Sequence, residues 1–264
     1  MRQQPCTLVV PPRSVRAAPL ELRYLRHLPV GYGDDPAARW PLILFLHGAG
    51  ERGDDLRLLL HHGLPRVVEE SDDVPCVVLS PQCPERSYWY LHLRALAALL
   101  DDALTTLAVD EQRVYLTGLS MGGYGAWHLG ARHPERFAAV APICGGGLRS
   151  RGFPARARAL REVAVWAFHG AQDEVVRPEQ SQRLVDELRA CGGRAQLTIY
   201  PDAAHDSWTR TYADPAFFRW LLAQRRVTEG DPAVLLSTRA RPSSPRPSRR
   251  GGARSPRTTP DSPR

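Results

Sequence analysis

Continuous apolar runs of strand length recur along the chain, and each stops at glycine, proline or a polar turn. The clearest run is Trp40 to Leu46, which ends at His47-Gly48. Such runs are typical of parallel strands, because helices cover both faces of a parallel sheet. The segment Leu20 to Leu28 alternates between apolar and polar residues and is predicted to be an edge strand. Further strands are predicted at Cys76 to Ser80, Arg113 to Thr117, Val163 to Phe168, and Ala195 to Tyr200.

Helical patterns lie between the strands, so the chain is predicted to be an α/β protein with a mostly parallel sheet and helices on both faces. The segment between Gly147 and Glu162 is too short to form a full cap domain. We therefore expect an open, shallow site over the sheet. The helices are predicted at Leu91 to Leu107, Met121 to Arg132, Pro178 to Ala190, and Pro215 to Gln224.

The formal net charge of +7 is concentrated in one part of the 264-residue chain. Residues 232–264 contain eight arginines and a single acid, Asp261, which accounts for the whole net charge. Apolar residues nearly vanish after Leu236, so this segment cannot bury enough surface to offset its chain entropy. We predict one α/β domain over residues 1–231 and a disordered basic tail over residues 232–264.

The five cysteines are scattered and lack the C-x-x-C or Cys/His spacing of a zinc site. Scattered cysteines in odd number are typical of free thiols in a reducing compartment. The first thirty residues hold no apolar run of the length that a secretory signal needs, and no segment is long and apolar enough to span a membrane. These patterns predict a cytoplasmic protein.

A glycine-flanked serine is the strongest chemical signal in the sequence. Gly118-Leu119-Ser120-Met121-Gly122 stands directly after a predicted strand and directly before a predicted helix. This strand-turn-helix context is the one that a nucleophile elbow requires, because the serine must sit in a strained turn that other backbone approaches closely. Ser120 is therefore the candidate nucleophile. The competing interpretation is a glycine-rich helix entry that only packs tightly on the sheet.

A serine nucleophile at this position predicts an acid and then a histidine further along the chain. His205 is the only histidine after Asp173, and it follows the predicted strand that ends at Tyr200. Asp173 lies just past the strand that ends at Phe168, where it could hold the imidazole in its reactive tautomer. Glu174 is a less favoured substitute for this acid.

Two other acids are weaker candidates. Asp186 falls within a predicted helix, and Asp202 is too close to His205 in sequence to come from a separate strand end. Asp173 itself could also be a turn or N-cap aspartate, and a lone histidine in a loop is usually only solvated. The chain order favours the catalytic interpretation of both Asp173 and His205.

An oxyanion also needs hydrogen-bond donors. The backbone N–H of Met121 is one candidate, and Ala49 or Gly50, in the loop after the strand that ends at Leu46, is predicted to supply the second. His47 is interpreted as a structural turn residue.

Aromatic residues and histidine pairs complete the candidate site. Tyr88, Trp89 and Trp208 are candidates for the substrate-binding wall, although an aromatic side chain that simply packs in a loop is an equal alternative. His61-His62 has no third ligand at metal spacing, so we predict neither a metal nor a cofactor.

Four blocks of the sequence resemble the dienelactone-hydrolase and polyhydroxybutyrate-depolymerase-like esterases, a group that includes predicted peptidases related to prolyl oligopeptidase catalytic domains. The resemblance runs from about Leu20 to Gln224 and implies an α/β-hydrolase with a Ser120, Asp173 and His205 triad and carboxylesterase-type activity. Dienelactone hydrolases proper use a cysteine nucleophile, whereas this chain has serine at the elbow. The blocks are Leu46 to Gly53, Pro81 to Pro84, Gly118 to Gly123, and Pro142 to Gly147.

The leading hypothesis is therefore a serine hydrolase that cleaves small or medium-sized ester substrates through an acyl-enzyme. A serine peptidase of prolyl-oligopeptidase type is the first alternative. The second is a catalytically idle binding module whose basic tail contacts polyanions. Nucleic acid is not expected as a partner beyond weak contact through the tail.

Overall fold

An eight-stranded sheet forms the centre of the computed structural model, which describes residues 2–12, 19–71 and 74–226. The strands are β1 (Gln4–Val10), β2 (Leu20–His27), β3 (Trp40–Leu46), β4 (Val77–Pro81), β5 (Val109–Leu119), β6 (Ala139–Ile143), β7 (Ala164–Gly170) and β8 (Ala195–Tyr200). Their order in the sheet is β1-β2-β4-β3-β5-β6-β7-β8. β2 runs antiparallel to both of its neighbours, and the strands β3 to β8 all run parallel to one another.

The part of the chain that the structure describes also contains six α-helices, the last two of which follow β8. They are α1 (Gly63–Glu70), α2 (Leu93–Thr106), α3 (Met121–Arg132), α4 (Glu179–Ala190), α5 (Trp208–Ala213) and α6 (Pro215–Leu222). Within that part, none of them has the length and apolar character that crossing a bilayer requires. Between β6 and β7 the chain forms only two short 3₁₀ helices, Arg149–Arg151 and Ala155–Leu160, so this connection builds no large cap.

The sheet separates two hydrophobic cores, because successive side chains of a strand point to opposite faces. In β3, Leu42, Leu44 and Leu46 enter one core, whereas Ile43 and Phe45 enter the other. Helices α2, α3 and α4 pack in the first core, and α1, α5 and α6 pack in the second. The predicted mostly parallel sheet with helices on both faces is confirmed.

The prediction of an edge strand at Leu20 to Leu28 is wrong. β2 lies inside the sheet, paired with β4 on one side and with β1 on the other. Its alternating pattern reflects two faces of unequal burial and carries no information on whether its backbone edges are paired. The true edge strand on this side is β1, which the sequence analysis missed.

β6 was also missed, although all five of its residues are buried. Its sequence is rich in alanine and includes Pro142, and both features argue against an inner strand. Pro142 nevertheless stands beside Gly118 in the parallel ladder between β5 and β6. Here tertiary packing overrides the local preference.

Parallel pairing brings several strand ends to one edge of the sheet. Leu46 of β3 is in register with Gly118 of β5, and Gly170 of β7 is in register with Tyr200 of β8. The loops that follow these strands therefore emerge together, and the crevice outside the carboxyl ends of the strands is where α/β sheets usually place a site.

Replacing Gly122 with alanine should destabilise the fold. A Cβ atom at Gly122 would lie 1.8 Å from the carbonyl oxygen of Leu46, and backbone cannot yield as a flexible side chain can. We expect Gly122→Ala to lower the free energy of unfolding, measured by urea denaturation, by about 1–3 kcal/mol. Gly50→Ala is the matched control, because a Cβ there meets nothing within 4 Å. Equal stabilities of the two variants would contradict this packing.

Candidate functional site

Ser120 occupies a sharp turn between β5 and α3. Its backbone has φ 53° and ψ −115°, a conformation that residues with a side chain rarely adopt. The turn is tight because Gly118 and Gly122 bring the backbone of β3 and of α3 into contact with it. The Ser120 amide donates a hydrogen bond to the carbonyl of Ile143 at 3.0 Å, which ties the turn to β6. The geometry of a nucleophile elbow is therefore present at this serine.

A continuous hydrogen-bonded chain runs from Ser120 into the protein. The Oγ atom of Ser120 lies 2.9 Å from Nε2 of His205, and Nδ1 of His205 lies 2.8 Å from Oδ2 of Asp173. The His205 side chain is 22% exposed, whereas that of Asp173 is completely buried. The structure thus brings together all three residues that the chain order selected, from the ends of β5, β7 and β8.

The two loops that carry Asp173 and His205 are bound to each other. The amide of Gln172 donates to the carbonyl of Ala203 at 3.0 Å, next to both side chains. Oδ1 of Asp173 accepts the amides of Val175 and Val176 at 2.9 Å each, which leaves Oδ2 for the imidazole. The carboxylate is therefore fixed in orientation by backbone donors.

A second histidine, which sequence reasoning missed, supports the same carboxylate. The Nε2 atom of His169 lies 3.2 Å from Oδ2 of Asp173 and 2.7 Å from the carbonyl of Val176, and Nδ1 lies 2.8 Å from the Ser181 hydroxyl. Burial lowers the pKa of His169. Because a carbonyl can only accept, Nε2 of the neutral ring carries the proton that is donated to Val176. The single proton of the Ser181 hydroxyl is shared between two acceptors, Nδ1 of His169 and the Gly145 carbonyl at 3.1 Å. Only its position at the end of the strand before Asp173 could have signalled this role.

Cys144 lies directly beside the elbow and was also assigned no role from the sequence. The Ser120 amide is 3.3 Å from the Cys144 sulfur, and the thiol is completely buried. Burial raises the pKa of this thiol to about 12, so it stays protonated and is a poor nucleophile.

Ligating atoms of Cys144, Asp173 and His205 lie within 4.8 Å of one another. This is the cluster in the described residues that could hold a metal ion, but Asp173 and His205 are already bonded to each other and the thiol is protonated. The atoms therefore fit a hydrogen-bonded relay better than a metal centre.

Hydrogen bonds at His47 fix the loop that is predicted to supply an oxyanion donor. Nε2 of His47 accepts the amide of Cys83 at 2.9 Å, and the indole N–H of Trp89 donates to the His47 carbonyl at 3.0 Å. Ala49 and Gly50 are exposed at the start of a short 3₁₀ helix, Ala49–Glu51. His47 is therefore a structural residue, as interpreted from the sequence.

Trp89 does not belong to the substrate-binding wall. Its side chain is completely buried against His47 and Gly125, so the prediction of a substrate contact is wrong. The apolar faces of the Trp89 indole pack inside the protein, and its single N–H donor is hydrogen-bonded there. Trp208 remains a candidate, since its ring stands edge-on to His205 with centroids 5.4 Å apart. Tyr88 is 44% exposed and stacks on Tyr90.

Comparison with known proteins identifies the fold class. The chain has the α/β-hydrolase fold, and residues 90–216 match the model of the dienelactone hydrolase family. The crystal structure of a thermostable esterase superposes with a TM-score of 0.70 at 32% identity, over 85% of this chain and 64% of that one. An acylaminoacyl peptidase from Pyrococcus horikoshii has a TM-score of 0.64 at 14% identity, over 90% of this chain and 44% of that one, which shows the fold alone.

Curated relatives point to the same group. The poly(3-hydroxyoctanoate) depolymerase of Pseudomonas fluorescens is 27% identical, covering 41% of this chain and 46% of the depolymerase. The bifunctional acetylxylan esterase/xylanase XynS20E of Neocallimastix patriciarum is 29% identical, covering 43% of this chain and 17% of that protein. The chain spans less than half the length of the curated relatives that it matches. The predicted resemblance is confirmed.

Substituting His169 with phenylalanine should destabilise the protein. The apolar ring would take the hydrogen-bonding imidazole away from the Val176 carbonyl and from the completely buried Ser181 hydroxyl. We expect the free energy of unfolding to fall by about 1–3 kcal/mol, the cost of burying an unpaired polar group.

The matched control is His61→Phe, because His61 is exposed. That variant should change stability by no more than about 0.5 kcal/mol in the same urea denaturation experiment. A His169→Phe protein as stable as the control would show that these hydrogen bonds contribute nothing to stability.

Proposed function

We propose that this protein is a serine hydrolase that cleaves carboxylic ester bonds of small or medium-sized substrates through an acyl-enzyme. The observation that carries the proposal is the unbroken hydrogen-bonded chain from Ser120 through His205 to Asp173. A serine hydroxyl is a weak nucleophile by itself and is activated by an adjacent base that a third group orients.

The reaction begins when Oγ of Ser120 attacks the ester carbonyl carbon and Nε2 of His205 takes the hydroxyl proton. The electron pair of the carbonyl bond moves to its oxygen, which receives hydrogen bonds from the Met121 amide and from that of Ala49 or Gly50. The tetrahedral intermediate then collapses, and the leaving alcohol takes the proton from His205. Water, activated by the same imidazole, hydrolyses the acyl-enzyme and restores the serine.

Asp173 takes no proton in this scheme. Its carboxylate accepts the Nδ1–H of His205, which selects the tautomer with a free Nε2 and stabilises the imidazolium that forms. The backbone donors from Val175 and Val176 keep the carboxylate in place during the cycle.

The ester preference and the substrate size are inferred from the relatives and from the open site. The thermostable esterase that superposes at 32% identity carries the ester assignment. The short 3₁₀ segments between β6 and β7 place no cap over the serine from this connection, and the ring of Trp208 stands beside the imidazole. We further propose that residues 1–231 suffice for catalysis. The predicted tail, residues 232–264, lies outside the described residues.

Ser120→Ala should abolish turnover of a short-chain p-nitrophenyl ester. Loss of the nucleophile is expected to lower kcat by about 10⁶ if the triad acts as a unit. A fluorophosphonate probe should label the wild-type protein at Ser120 and leave the variant unlabelled.

Cys144→Ala is the matched control, because it removes the other nucleophilic atom beside the elbow. This variant should keep its kcat within about tenfold, since a protonated, buried thiol is a poor nucleophile. Ester hydrolysis that is unchanged in Ser120→Ala would contradict the serine mechanism. Hydrolysis that is lost in Cys144→Ala but kept in Ser120→Ala would contradict it as well.

Matched ester and amide substrates with the same acyl group distinguish an esterase from a peptidase. We expect kcat/KM to be higher for the ester, because nothing in the described residues forms an added domain for selecting peptides. Faster turnover of the amide would replace the esterase assignment with the peptidase one.

A further inference from the structure

A cavity of about 410 Å³ opens beside α3. It lies between the segment after β4, the first turns of α2, the second half of α3 and the segment that follows β6. None of Ser120, Asp173 and His205 lines it. Its volume falls in the range of cavities that hold small-molecule ligands. The side chains that matter here are Tyr90, Arg94, His128, Arg132, Arg151 and Arg156.

The cavity concentrates positive charge without compensation. Its lining includes four arginines and no carboxylate, and within the described residues none of the four guanidinium groups forms an ion pair. Another cavity, of about 280 Å³, shows the ordinary pattern, because Asp101, Glu111 and Glu135 accompany its two arginines. Four unpaired guanidinium groups around one space attract an anion.

Aromatic rings form the floor of the cavity and hold one arginine in place. The Arg151 guanidinium lies 5.1 Å from the centroid of the Tyr90 ring. That ring packs against His128, whose own ring meets Phe153 at a centroid distance of 4.5 Å. Tyr90 thus holds one cation of the cavity in place by a cation–π contact.

The imidazole of His128 is kept uncharged by burial and by the nearby arginines. Burial, together with Arg151 and Arg156, lowers the pKa of His128 to about 4, so its ring is neutral at pH 7. The Leu148 amide approaches its Nε2 atom at 3.4 Å. The floor of the cavity is therefore neutral, and its cations are the arginines of the rim.

We propose that this cavity binds a phosphorylated small molecule with at least two anionic charges. The planar guanidinium fork matches the oxygens of a phosphate and can donate two parallel hydrogen bonds to it. A polyphosphate can meet several of the four cations at once, which a single carboxylate cannot do. The ligand would occupy a site separate from that of the ester substrate, so its binding does not require the triad.

Isothermal titration calorimetry of the full-length protein with ATP and with inorganic pyrophosphate tests the proposal. Both probes should bind with one site per chain, and the affinity should fall as salt is added. In Arg151→Gln/Arg156→Gln the dissociation constant should rise at least about tenfold, because two charge-assisted contacts are lost. Citrate, a trivalent anion without phosphorus, should bind at least about tenfold more weakly than pyrophosphate to the wild-type protein.

Two controls separate the cavity from other sources of charge. Arg189→Gln/Arg219→Gln removes two exposed arginines from α4 and α6 and makes the same change in net charge, yet should leave the dissociation constant within about twofold. Ser120→Ala should bind both probes as the wild type does. Circular dichroism confirms that each variant is folded.

The proposal is overturned by any of four results: no binding to the wild-type protein, equal losses in the two double variants, unchanged affinity in Arg151→Gln/Arg156→Gln, or citrate binding as tightly as pyrophosphate. Retained hydrolysis alongside any of these results would leave the serine mechanism intact.

Discussion

The structure depends on a close backbone contact among β3, β5 and α3. Gly122 stands so near the carbonyl of Leu46 that no side chain fits between them, and Gly118 meets the backbone of Gly122 in the same way. This contact forces the chain to reverse within one residue, which places Ser120 at φ 53° with its hydroxyl at the edge of the sheet. The strain of one residue is offset by the packing of two strands and a helix around it.

Polar groups around the site form a layered support. Asp173 orients His205, the amides of Val175 and Val176 orient Asp173, and His169 fills the remaining space beside the carboxylate. The imidazole of His205 is partly exposed, whereas the side chains of Asp173 and His169 are both fully buried. Such burial makes the arrangement specific, since every polar atom in it must find its partner or lose stability. The loop of Ala49 and Gly50 is supported similarly by His47 and Trp89.

The fold and the candidate site could be predicted from the sequence to different extents. The parallel strands, the elbow and the order of Asp173 and His205 follow from local pattern and from the rule that loops leave parallel strands at one edge. The pairing of β2, the strand at Ala139–Ile143 and the burial of Trp89 do not follow, because each depends on which elements pack beside them. An alternating pattern reports the faces of a strand, and it says nothing about neighbours along the hydrogen-bonding direction.

The amino-acid sequence by itself determined the class of fold, the strained position of the serine and the three side chains that converge on it, because these depend on periodicity, glycine placement and chain order. Only the tertiary structure decided that His169 and Cys144 stand against the triad, that Trp89 is a core residue and that four arginines surround one cavity. Contacts between residues far apart in sequence arise from packing, and no local pattern encodes the distance between two side chains.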